Sequence, residues 1–268
     1  MDRTAWLELP TESRSAVEAY TGPVEHAETA ETGVMARLAC TLHTAAGPVF
    51  VKGTRSDEPA AWMYDYEARV TRVAPLAPRV LWQVDAGGWL LAGYEYLVGP
   101  HPDLSPGSRD LCAFLDALAV MSEAPWPEQV RKKPLRVRWA GFFPSDRSPD
   151  LEGQTLVHSD VSPLNMLTTT GGIRVLDWAL ACPGPAWADT AFAIPRFIHA
   201  GHSAAQAERL AQSVPAYQTA TPPAITTFAR TVSAVWKSRA VSDPAPHRAP
   251  LISAVDTWCE FRSMTPAR

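Results

Sequence analysis

The sequence is short of lysine, of paired cysteines and of long apolar runs, and each shortage removes a class of protein. Only four of its 24 basic residues are lysine (Lys52, Lys132, Lys133 and Lys237), so a lysine inside a strand-like run asks for a reason. The four cysteines, Cys40, Cys112, Cys182 and Cys259, stand far apart and form no CxxC pair. That spacing excludes a zinc ribbon or a disulfide scaffold and leaves buried, reduced thiols as the expectation. No window approaches the roughly 18 uninterrupted apolar residues of a membrane span. The opening stretch MDRTAWLELPTESRS carries acids and arginine without the apolar centre of a secretory signal. No membrane partner and a cytoplasmic location are therefore expected. The formal charge is -4 and the arginines are scattered, which leaves no basic stripe for a nucleic acid. No period of about 20 to 50 residues repeats, so a solenoid or propeller is excluded.

What is present is a chain of 268 residues, 46% hydrophobic and 19% charged, long enough for one large domain or two small lobes. Residues 34–43 and 48–52 are β-branched or alternating runs separated by TAAG, which reads as a hairpin. In AAWMYDYEARVTRVA, Trp62, Tyr66, Val70 and Val73 recur at helical spacing and predict an amphipathic helix ending before Pro75. RVLWQVD and WLLAGYEYL flank AGG, whose glycines suit a second tight hairpin. Up to about residue 95 the chain thus reads as strands with one inserted helix. Beyond about residue 105 it is mostly helical, with Pro-rich interruptions. LVGPHPDLSPGS supplies the break between them, and Ser108 is placed to cap the helix of RDLCAFLDALAVMSEA. Residues 125–153 show no clear period. TLVH and NMLTTTGGIRVLDW read as short strands, the latter two joined by a Gly-Gly turn. Helices are expected near 187–199, 203–213, 224–241 and 249–262.

The densest polar cluster in this apolar setting is His158-Ser-Asp160-Val-Ser-Pro-Leu-Asn165, followed twelve residues later by Asp177. Phosphoryl transfer needs such a set, because a divalent cation must bridge phosphate oxygens while a separate carboxylate orients the incoming hydroxyl. Magnesium prefers hard oxygen ligands, which Asn165 and Asp177 offer from the two arms of the Gly171-Gly172 hairpin. The competing reading is an ordinary loop whose Asp and Asn bond their own backbone. Asp177 within VLDW resists it, since an aspartate breaking an apolar strand is penalised unless a cation or donor compensates. His101, His199 and His202 lack a matching cluster and read as surface or helix-end residues.

On these residues the sequence resembles the aminoglycoside phosphotransferase and choline kinase-like superfamily, whose catalytic loop has the form His-x-Asp-x-x-x-x-Asn and whose metal aspartate follows a short hairpin. The resemblance implies an α+β, two-lobed protein kinase-like fold: a small antiparallel-sheet lobe with one key helix over residues 1–97, and a mainly helical lobe over residues 98–268. It implies Asp160 as catalytic residue, Asn165 and Asp177 as Mg2+ ligands, and His158 and Asp189 as supports of the loop. Lys52, ending the strand of VFVKGT, falls where an ammonium reaches nucleotide phosphates. Glu67 is the better candidate to hold it, with Glu58 left open. Alone, Lys52 also reads as a snorkelling strand-end lysine and Glu67 as a solvated helix residue. Glu95, Tyr96 and Val98 would offer backbone groups to the nucleotide base, ATP or alternatively GTP. The nucleotide-covering loop should lie near ETAETGVMAR, which has only Gly33 where protein kinases have three glycines. Ser159 stands where the family commonly has glycine.

A protein kinase would carry DFG and a peptide-docking segment, whereas only eleven residues separate Asp177 from Asp189. The expected acceptor is therefore a small hydroxylated molecule, such as an antibiotic or a nucleoside-like metabolite. Residues 198–268 hold four acids against seven Lys plus Arg, which disfavours a polycationic drug. A true aminoglycoside kinase and a catalytically silent nucleotide-binding protein on the same fold remain the alternatives. The oligomeric state is left open.

Overall fold

The computed structural model describes residues 3–30, 36–246 and 248–264. The chain divides into two compact units, Met1–Val98 with Leu176–Ala179, and Gly99–Val175 with Leu180–Arg268.

The first unit is built on an antiparallel sheet of β1 (Val24–Thr29), β2 (Leu38–Thr44), β3 (Gly47–Arg55), β4 (Val80–Ala86) and β5 (Trp89–Glu95), in the order β1-β2-β3-β5-β4. The first expected hairpin is β2–β3, closed at the pair Thr44↔Gly47. The second is β4–β5, turned by Gly87 and Gly88 at φ 59° and 77°, a left-handed backbone that glycine adopts without a Cβ penalty. One sheet face buries Leu38, Cys40, Leu42, Val51 and Leu91 against Trp6, Leu9 and Val17. Trp6 opens a 3-10 turn that Leu9 closes, and Val17 lies on α1 (Thr11–Thr21).

Helix α1 was not anticipated, because only strands and one helix were expected before residue 95. Its sequence TESRSAVEAYT buries just Ser13 and Val17, so too few apolar positions recur to reveal the helical period. The anticipated helix is α2 (Trp62–Thr71), but its buried face differs from the expected one. Trp62 and Val73 are 55% and 57% exposed, while Tyr64, Glu67 and Ala68 are buried with Tyr66 and Val70. A charged residue on the inner face shifts the apparent apolar stripe.

The second unit is mainly helical. It holds α3 (Asp110–Ser122), the short α4 (Leu135–Arg138), α5 (Ala188–His199), α6 (Ala204–Gln212), α7 (Pro215–Gln218), α8 (Pro222–Ser242) and α9 (Arg248–Met264). Two small antiparallel ladders accompany them: β6 (Thr155–Val157) with β9 (Cys182–Gly184), and β7 (Met166–Thr169) with β8 (Gly172–Val175). The N-cap of α3 is Arg109, without a side-chain cap bond, and not Ser108 as expected; Ser108 lies one residue earlier and its hydroxyl accepts from the Asp110 N–H at 3.2 Å. Trp139, Trp187, Phe192 and Phe228 pack in tilted and edge-to-face pairs with centroids 4.9–5.8 Å apart. This cluster ties α4, α5 and α8 into one core.

The cysteines are all free, but they are not uniformly buried as expected: Cys112 is exposed and Cys259 is half-buried. Both sit on amphipathic helices, where a small thiol fits either face. His202 sits at a helix end, between α5 and the Ser203 cap of α6, and is buried, with Nε2 2.9 Å from the Leu104 carbonyl. No helix among the described residues is long and apolar enough to cross a membrane.

Leu42 is fully buried at the centre of the first unit's core. Leu42→Ala should cost about 2–5 kcal/mol by combined transfer and cavity terms. The urea midpoint should fall accordingly, with the slope of the transition unchanged.

Candidate active site

In the first unit, strand alternation sends Val51 into the core and Lys52 to the opposite face of β3, where its register neighbours are Ala39 and Ala92. Two small residues leave room above the sheet for a long side chain. The Lys52 ammonium lies 2.9 Å from the Glu67 carboxylate of α2 and 3.1 Å from Asp177 Oδ1. Glu58, the alternative partner, instead meets Arg37 at 2.7 Å. Burial alone would lower the Lys52 pKa, but the Glu67 and Asp177 carboxylates outweigh it and hold it above its ordinary value. Glu67 is itself only 4% exposed, so the pair is mutually dependent: removing either partner strands a buried charge.

Asp177 does not interrupt a strand, as its sequence context implied. Strand β8 ends at Val175, and Asp177 takes a left-handed backbone at φ 58° with its side chain 46% exposed. Aspartate tolerates that region better than most residues. The carboxylate therefore bears no strand-burial penalty of the kind its place in VLDW implies. The turn aims an accessible carboxylate at Lys52, while the following Trp178 is fully buried and anchors the turn.

In the second unit, β6 runs into the loop from His158 to Asn165. Asp189, in the first turn of α5, is 5% exposed and accepts from the backbone N–H of His158 at 2.8 Å and of Ser159 at 2.9 Å. Burial pushes the Asp189 carboxyl above its ordinary range, and His158 with these two donors offsets only part of that rise. Ser159 has φ 65°, which explains why glycine suits this position. Its hydroxyl donates to the Leu180 carbonyl at 2.7 Å, a bond that offsets part of the strain of a non-glycine residue there. The fully buried His158 receives the Asp160 N–H on Nδ1 at 3.2 Å.

The loop then closes on itself. Asn165 Nδ2 donates to the Asp160 carbonyl at 3.0 Å and to Asp160 Oδ2 at 3.1 Å. With the amide nitrogen so engaged, Asn165 keeps Oδ1 as its remaining acceptor, the atom type a hard cation takes. Arg196 Nη2 of α5 reaches Asp160 Oδ1 at 3.2 Å, and its guanidinium stacks over the Trp236 ring of α8 at 5.4 Å. Sequence reasoning missed Arg196, because an arginine inside a helix with no motif around it carries no signal of its partner.

The structure thus brings Lys52, Glu67 and Asp177 together in one unit, and His158, Asp160, Asn165 and Asp189 in the other. Glu95 ends β5 with Oε2 accepting from the Arg79 N–H at 3.1 Å, and Tyr96 and Val98 are exposed beyond it. Gly33 lies outside the described residues. Among the described residues no group of three or more His, Cys, Asp or Glu is arranged to hold a metal.

Residues 145–223 match the model of a family described as "Phosphotransferase enzyme family". No curated protein matches the chain. Among solved structures, a thermostable mutant of aminoglycoside phosphotransferase APH(4)-Ia, in a ternary complex with AMP-PNP and hygromycin B, aligns at TM-score 0.65 and 15% identity, covering 96% of this chain and 100% of that one. Choline kinase LicA from Streptococcus pneumoniae aligns at TM-score 0.64 and 13% identity, covering 92% and 99%. The AMP-bound spectinomycin phosphotransferase APH(9)-Ia aligns at TM-score 0.63 and 9% identity, covering 96% and 100%. At these identities the likeness is one of fold: the chain has the kinase-like fold that these phosphotransferases share.

Asp189→Ala removes one acceptor from two backbone donors of the 158–159 turn. It should destabilise the protein by about 3 kcal/mol, since hydrogen bonds to a charged group contribute roughly 1.5–3 each. A urea titration showing a loss below about 0.5 kcal/mol, the range of ordinary surface substitutions, would contradict this reading of the turn.

Proposed function

We propose that the chain is a Mg2+-dependent phosphotransferase that moves the γ-phosphate of ATP, or alternatively GTP, to a hydroxyl of a small molecule in the cytoplasm. The observation that carries this is the Asp160 carboxylate, with one oxygen on Asn165 and the other on Arg196. Each oxygen keeps a further lone pair for a substrate hydroxyl. Residues 1–97 serve as the nucleotide-binding lobe and 98–268 as the lobe that carries Asp160 and takes the acceptor.

Asn165 and Asp177 would hold the magnesium ion: each has the oxygen donor this ion takes where phosphates and water complete its shell. What Mg2+ supplies there is neutralisation of charge on the phosphate oxygens. Lys52, held by Glu67, directs its ammonium to the nucleotide phosphates, with Asp177 as its resting partner. The backbone of Glu95 to Val98 takes the base. Asp160 orients the acceptor hydroxyl. The hydroxyl oxygen forms its bond to the γ-phosphorus as the bond from that phosphorus to the ADP oxygen breaks, and the hydroxyl proton passes late to Asp160. Asp189 and His158 support this by holding the 158–160 backbone, so positioning supplies most of the rate.

Purified protein with Mg2+ and ATP should release ADP only when a suitable hydroxylated acceptor is present. Asp160→Ala should keep nucleotide and metal binding while turnover falls about 10²–10⁴-fold, the range for loss of a positioned base. Asp177→Ala should instead raise the Mg2+ concentration needed for half-maximal nucleotide binding. Unchanged turnover in Asp160→Ala would remove the assigned role. Nucleotide binding without acceptor-dependent ADP release on any compound would favour a silent nucleotide-binding protein.

A further inference from the structure

The groups around Asp160 in the second unit are mostly cationic. Arg196 contacts Asp160 directly. Arg138 of α4 donates to the Leu180 carbonyl at 2.9 Å, the same oxygen that receives the Ser159 hydroxyl, so its guanidinium stands beside the loop that carries Asp160. Trp236, which stacks on Arg196, lies one helical turn before Arg239 on α8. Arg239 is exposed, and no carboxylate among the described residues pairs with it. Partial desolvation lowers its pKa, the guanidiniums of Arg138 and Arg248 lower it further, and Asp160 raises it. Arg239 thus stands one turn along α8 from the ring that carries Arg196, the residue that holds Asp160.

The acids able to offset them are mostly engaged elsewhere. Glu208 is buried with the Tyr217 hydroxyl, the Trp258 indole N–H and Arg262. Asp256 holds Ser233 and Lys237, Asp243 holds Arg248, and Asp189 is spent on the 158–159 backbone. Guanidinium groups stay charged at any relevant pH. Crowding them without a matching anion is unfavourable, repels a polycationic ligand, and suits a planar oxyanion that accepts two parallel N–H bonds.

We propose that the acceptor is an alcohol that also carries an oxyanion, a carboxylate or a phosphate, and that Arg239 with Arg138 binds that group while Asp160 receives the hydroxyl. This rests on the phosphotransferase reading above and adds the substrate class. The transfer itself is unchanged: the acceptor oxygen bonds to the γ-phosphorus, ADP leaves, and the hydroxyl proton goes to Asp160.

The test uses the whole protein with Mg2+ and ATP and a panel of hydroxylated compounds in four matched classes: neutral, carboxylate-bearing, phosphate-bearing and amine-bearing. ADP release should give kcat/KM at least about tenfold higher for one or both anionic classes, the scale of a steered or paired charge contact. The carboxylate and phosphate arms identify which oxyanion is read. Arg239→Gln should raise the KM for that class about tenfold or more, with kcat and the KM for ATP nearly unchanged, which marks lost binding and not lost chemistry. Arg209→Gln, an equal charge change on exposed α6, should leave all of these as in the wild type. Turnover that is fastest on neutral or amine-bearing acceptors overturns the proposal while leaving phosphotransfer intact. A rise in the KM for ATP in place of the acceptor's overturns it too, by assigning Arg239 to the nucleotide. If no compound is turned over, calorimetric titration of the same panel into protein saturated with a non-hydrolysable ATP analogue decides. Tightest binding of an anionic class, weakened by Arg239→Gln, supports the proposal, and any other ranking overturns it.

Discussion

One buried carboxylate, Asp189, holds the loop on which the account depends. By accepting two consecutive backbone N–H groups it forces the chain after β6 into a tight turn, with Ser159 in the left-handed region. That turn delivers Asp160 in register for His158, Asn165 and Arg196 at once. None of these three contacts survives a shift of the 158–160 backbone by the length of a hydrogen bond. An aspartate at the start of α5 is well placed for the task, because the helix N-terminus favours its negative charge while burial removes competing water.

The first unit solves a different problem with the same economy of residues. A lysine on an inner strand is tolerable only between carboxylates, and Glu67 and Asp177 provide them from a helix and from a left-handed turn. Asp177 differs from Glu67 in being accessible. On the proposed reading that difference matters: a buried glutamate keeps the lysine in place, whereas an exposed aspartate exchanges the lysine for other cations at little desolvation cost.

Much of this was legible in the sequence where chemistry and spacing coincide. The two hairpins follow from alternation and glycine-bearing turns, and α5, α6, α8 and α9 fall where helices are expected near 187–199, 203–213, 224–241 and 249–262. Asp160, Asn165 and Asp177 stood out by their spacing. Features set by long-range packing were not legible. Helix α1 buries too few side chains to show a period, and β9 is a three-residue strand recognisable only by its pairing with β6. Arg196 has no local signature, since its meaning comes from an aspartate 36 residues earlier. Asp177 also stands out within VLDW, but on a premise of strand burial that its exposed turn does not support. The net charge of residues 198–268 pointed away from a cationic ligand, and the engaged state of Glu208, Asp243 and Asp256 gives that sum a spatial meaning.

On the proposed function, a phosphoryl group leaves a nucleotide and arrives on an alcohol. Phosphorus NMR of the protein with Mg2+, ATP and a mixture of hydroxylated small molecules tests it most directly. A new phosphate monoester resonance should grow in step with ADP. ADP accompanied only by inorganic phosphate, or ATP that stays intact with every acceptor while bound to the protein, would contradict it.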